Sequence, residues 1–147
     1  MKKLTILYLS FAILGLFSAC DRTEDPIYEK LSDDHYPVIV QNTNFFTPAV
    51  PSAGYVKGTA IKIEFDYFVR EPINEIQFWE KIGAADSVAL FKGAAVPAFS
   101  KIKNCDTLIY NYIVPSAPAS GTTIAIRGRV VNKNGLTKDR VLTYRIR

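Results

Sequence analysis

Side chains able to do chemistry are few in this chain of 147 residues, and they stand apart. The one histidine, His35, follows Asp33 and Asp34, and one imidazole beside two carboxylates does not make a zinc set without further ligands. Downstream of it no base remains for a Ser/His/Asp relay. There is no Gly-x-Ser-x-Gly elbow, no glycine-rich phosphate loop and no Cys-x-x-Cys pair. Glu64 and Asp66 lie two apart, roughly 6.6 Å along a strand, a separation that inverting glycosidases use. Any exposed strand face produces that spacing, so a solvated charge stripe beside Lys62 is the reading adopted. No metal and no cofactor is expected, and the inventory points away from catalysis.

The composition is that of one modest globular domain: 48% hydrophobic, 22% charged, with 8 Gly and 8 Pro. Met1-Lys2-Lys3 forms a positive head, Leu4 to Phe17 is almost wholly apolar, and Ser18-Ala19 are small residues before Cys20. That is the layout of a secretory signal, residues 1–19. Leu4 to Ala19 reaches only about 24 Å as a helix, against a hydrocarbon core of about 30 Å, so a membrane span is not favoured. Residues 20–35 follow without an apolar period; Asp21 to His35 holds six acids and two bases, the composition of a solvated tether. The whole chain carries +4, of which Lys2 and Lys3 belong to the segment expected to be removed. A residual charge this small gives no reason to expect a nucleic-acid partner.

Phe17-Ser18-Ala19-Cys20 resembles the lipobox of bacterial lipoproteins. The resemblance implies that the Cys20 thiol is acylated, becomes the first mature residue and anchors the protein to a membrane. Cys105 then has no partner for an intramolecular disulfide and reads as a small buried hydrophobe. An acidic stretch directly after such a cysteine is similar to the export signal of surface lipoproteins in Bacteroidota, which implies the outer membrane, at the cell surface or facing the periplasm.

From Tyr36 to Arg147 the signal is period two, broken by turn residues. Thr59 to Val69 alternates Ile61, Ile63, Phe65 and Tyr67 against Lys62, Glu64 and Asp66. Strands are also expected at Tyr36–Gln41, Ile73–Lys81, Ser87–Lys92, Asp106–Val114, Thr123–Asn132 and Arg140–Ile146, with a hairpin turn at Asn134-Gly135. Gly93 to Lys103 reads as a loop that packs its own apolar residues, the alternatives being an extra edge strand or a loop presenting Phe99. Seven short strands over about a hundred residues suggest an all-β, two-sheet sandwich of the immunoglobulin (Ig) or fibronectin III-like class. The stretch from Tyr112 to Leu136 resembles the last strands of Ig-like modules in Bacteroidota lipoproteins, some beside glycan-uptake systems.

In such a sandwich the strand from Ile73 to Lys81 shares a sheet with the last two. If Ile76 and Phe78 point inward, Gln77 and Trp79 point outward toward Arg127, Arg129 and Arg145, giving an aromatic platform rimmed by donors. That surface suits a protein partner or a sugar ring. Asp86-Ser87-Val88 and Asp106-Thr107-Leu108 each resemble the short O-glycosylation signal of Bacteroidota, which implies sugar on Ser87 and Thr107. The expectation is a tethered Ig-like interaction, assembly or adhesion module with an outer-membrane protein partner, or else a small carbohydrate-binding lipoprotein.

Overall fold

The alternation in Thr59–Val69 resolves into β3 (Ala60–Phe68), whose inward side chains Ile61, Ile63, Phe65 and Tyr67 are all buried while Lys62 is exposed. The computed structural model describes residues 33–41, 45–96 and 98–147, and residues 34–147 form one compact unit. The signal segment, Cys20 and the tether up to Ser32 lie outside the described residues.

Strand β3 pairs antiparallel with β1 (Val38–Ile39) and β2 (Phe46–Thr47), and on its other side with β7 (Cys105–Ile113), whose edge carries β6 (Phe99–Ser100). The second sheet runs β5-β4-β8-β9, with β5 at Val88–Gly93, β4 at Ile73–Ile82, β8 at Thr123–Asn132 and β9 at Thr137–Arg145. The two sheets pack face to face as an Ig-like sandwich of nine strands. In immunoglobulin letters, β1 and β2 share the place of A, β3, β4 and β5 are B, C and C′, and β6 to β9 are D to G. Nine replaces the expected seven because β2 and β6 are two residues each, too short to leave a periodic signal.

The core is aromatic. Phe65 meets Phe78 edge-on at 5.5 Å between centroids, and Phe78 stacks on Tyr110 at 5.1 Å. On β8, Ile124, Ile126, Gly128 and Val130 all face inward and are buried. Gly128 has a packing reason: a Cβ there would lie 2.6 Å from the Phe65 ring. The β8–β9 turn is the expected Asn134-Gly135 hairpin, with Gly135 at φ +85°, where a side chain would be strained. Across the open side of the sandwich, Arg140 of β9 donates to the Val40 carbonyl at 2.9 Å and lies 4.9 Å from the Phe45 ring, tying the last strand to the first. Burial holds its pKa below the usual arginine range.

Three expectations change. Glu64 and Asp66 are no solvated stripe: the 101–104 turn folds over them, Lys103 pairs with Glu64 and lies 3.8 Å from Asp66, and Asp66 is buried. The stretch from Gly93 to Lys103 does not pack its own apolar residues, since Val96, Phe99 and Ile102 are exposed, the last at 97%. His35 is docked rather than loose. It pairs with Glu71 at 2.9 Å, and its carbonyl accepts from Asn132 and Asn134 at 3.0 and 3.2 Å. Cys105 is buried, and burial pushes its thiol up, with the Asp66 carboxylate adding to the rise.

Four phenols are held in the interior. Burial pushes Tyr55, Tyr67 and Tyr112 above the usual tyrosine range and Tyr144 up to about 12; the Glu80 carboxylate and Tyr144 raise Tyr112 further. Tyr112 donates to Glu80, and its hydroxyl lies 2.9 Å from that of Tyr144. The unfolded chain releases these protons near pH ~10, whereas the fold retains them. Their contribution to stability is therefore complete below pH ~10 and lost as pH rises through the folded values. Ultraviolet titration of the folded protein will show these phenols ionising above the usual tyrosine range. Smooth ionisation of every tyrosine near pH ~10 in a protein that stays folded would contradict the packing.

Candidate functional site

On β4 the burial pattern departs from alternation, because Ile76, Gln77 and Phe78 are buried in succession. Ile76 and Phe78 enter the core as the alternation predicts. Gln77 points the other way and is covered by its neighbours on the outward face. Trp79 lies half-buried on that face, and the core place an Ig domain often gives to tryptophan belongs here to Phe78. A bulge between β4 and β5 sets the small Ala89 opposite Trp79.

Cations from both neighbouring strands approach the indole: Lys92 Nζ is 4.7 Å and the Arg127 guanidinium 5.3 Å from the ring centroid. Contacts of this kind contribute about 0.5–1 kcal/mol each at exposed sites. The indole N–H donates to Gln77 Oε1 at 2.9 Å, and the Gln77 amide donates in turn to Glu75. Arg129 grips Asp139 of β9 with two hydrogen bonds, 2.6 and 2.7 Å long. That fork holds Asp139 below the usual carboxylate range and Arg129 above its own. Arg127 stands 3.9 Å from the same carboxylate, and its buried Nε has no hydrogen-bond partner among the described residues.

The platform therefore assembles, but differently from the sequence expectation. Gln77, Trp79, Arg127 and Arg129 come together, yet Gln77 and Arg129 already direct donors to partners within the face. Arg145 does not join them. It stands opposite Thr123, four residues along β8 from Arg127, about 13 Å away at about 3.3 Å per residue. Ser87 does join: it is exposed and borders a hollow of about 170 Å³ with Trp79, Lys81 and Arg127. Thr107 lies on the other sheet with its Oγ1 sealed from solvent, so an enzyme acting on the folded domain could reach Ser87 and not Thr107.

Asp139, Lys92 and Val141, which is exposed, belong to this face and were not singled out from the sequence. Asp139 had a near signal. Counting from a two-residue Asn134-Gly135 loop puts Arg140 opposite Arg129, and the observed register moves that place by one to Asp139. Lys92 had none, because the bulge shifts its register. Among the described residues no three His, Cys, Asp or Glu side chains gather to hold a metal ion. No family profile, curated protein or solved structure matches the chain.

Proposed function

We propose that this chain is a lipid-anchored, non-catalytic interaction module, acylated at Cys20 and docking onto an outer-membrane protein through the outward face of β4 and β8. The observation that carries this reading is the place of Trp79. Had it filled the core, Phe78 would stand outward in its place and the face would lack the indole; instead Trp79 stands outward beside Arg127, with Val141 exposed on the next strand. Tryptophan and arginine dominate the energetics of protein interfaces. A partner bringing an apolar side chain for Val141 would complete what the face leaves open. The Arg129–Asp139 pair then acts as a preformed rim that fixes orientation more than affinity.

A photo-crosslinking side chain at Val141 in intact cells, read by mass spectrometry, tests this. The expected product joins the chain to an outer-membrane protein, and Trp79→Ala abolishes it in a protein that still reaches the membrane. A second reading, a small carbohydrate-binding lipoprotein, draws on the hollow beside the indole. It wins if a glycan array shows binding that Trp79→Ala removes while no protein crosslink forms. Intact mass from the native host checks the modifications: acyl chains on Cys20, and sugar on Ser87, which would cover part of that hollow.

A further inference from the structure

Two hollows among the described residues differ in what lines them. One of about 540 Å³ runs along β3 and β7 beside Pro48, and its buried polar side chain, Tyr112, already spends its hydroxyl on Glu80 and Tyr144. The other, about 410 Å³, opens at the pole where the β3–β4, β5–β6 and β8–β9 connections meet. In variable immunoglobulin domains the B–C and F–G loops at this end form the binding surface. Here the pole holds a cavity that runs between the sheets. Tyr67 and Asp106 line it from one sheet and Ile73 from the other, with Val69 and Val96 as apolar walls and Lys133 beside them. A volume of this size, mostly apolar with a few converging polar groups, is the usual form of a small-molecule site.

Tyr67 makes the cavity more than a packing gap. The residue is 2% exposed, yet its hydroxyl makes no hydrogen bond among the described residues and is not sealed from solvent. Buried polar groups are rarely left without partners. Asp106 stands directly opposite it in the β3/β7 register, on the same inward face, with one oxygen taken by the Ala98 N–H at 3.0 Å. The phenol can donate or accept, and the carboxylate can only accept.

We propose that this cavity binds a small neutral ring bearing hydroxyl groups, a sugar or a phenol. One ligand hydroxyl accepts from Tyr67 and donates to Asp106, using its lone pair and its proton together. The apolar side of the ring lies on Val69, Ile73 and Val96, and Lys133 donates to a second hydroxyl. The site is independent of the Trp79 face, which lies on the outside of the other sheet.

Nitrogen-15 NMR of the chain lacking residues 1–20, titrated separately with methyl β-glucopyranoside, methyl β-galactopyranoside and p-cresol, tests the proposal. Saturable shifts at the Tyr67, Val96 and Asp106 amides are expected with at least one probe, and which probe binds tells a sugar from a phenol. Tyr67→Phe keeps the ring and the packing but removes the hydroxyl, and should weaken binding by about 10-fold. Trp79→Ala should leave it unchanged. The proposal falls if no probe gives saturable shifts at the pole, if Tyr67→Phe binds as well as the parent chain, or if binding follows Trp79 instead.

Discussion

Replacing Phe78 with alanine will cost this domain about 3–5 kcal/mol, while the same truncation of its neighbour Trp79 will cost about 1–2 kcal/mol. The contrast follows from which of two adjacent aromatic residues faces inward. Phe78 is fully buried, stacked on Tyr110 and in edge contact with Phe65, so its removal loses transfer free energy and leaves a cavity between the sheets. Trp79 loses two cation contacts and half-buried area on a surface that water can refill. A domain of this size has about 5–15 kcal/mol of stability in all, so Phe78→Ala should bring the urea midpoint down by roughly 2 M or leave the chain partly unfolded. Trp79→Ala should remain cooperative with a modest shift. The reverse order would place Trp79 in the core and remove the proposed docking face.

A single methyl group at Gly128 will be nearly as damaging, at about 1–3 kcal/mol. In an ordinary strand, glycine to alanine at a compatible position stabilises slightly, because the unfolded chain loses freedom. Gly128 is not such a position. The new Cβ would meet Phe65 Cε2 at 2.6 Å and Cδ2 at 2.9 Å. The ring has little room to yield, being edge-on to Phe78 at 5.5 Å and to Phe45 at 6.3 Å. Chemical denaturation of Gly128→Ala beside Gly128→Ala/Phe65→Leu will show the cause. If the clash is the mechanism, the second substitution costs far less in the Gly128→Ala background than in the parent chain. Additive costs would rule that mechanism out.

Much of the architecture was legible because β structure writes itself in period two. The inward sets Ile61, Ile63, Phe65, Tyr67 and Ile124, Ile126, Gly128, Val130 could be named from spacing alone, since a strand with one buried face must alternate. The Asn134-Gly135 turn was equally plain, because only small residues adopt its conformation cheaply. Alternation also set Phe78 and Trp79 on opposite faces, but it could not say which of the two was inside. That choice was made by the opposite sheet, where Phe65 and Tyr110 leave a space that an aromatic ring from β4 fills.

Other features belong to the tertiary structure alone. Asp66 reads as an exposed charge in its strand and is buried because a turn some 35 residues later folds Lys103 over it. Arg129 reads as a free donor and is committed to Asp139; Thr107 reads as a modifiable hydroxyl and is sealed. The cavity at Tyr67 needs four separate segments to meet at one pole. Local pattern determines which face of each strand avoids water, since that depends on residues two apart. Which polar group finds a partner depends on residues tens of positions away, and only the packed sheets bring those together.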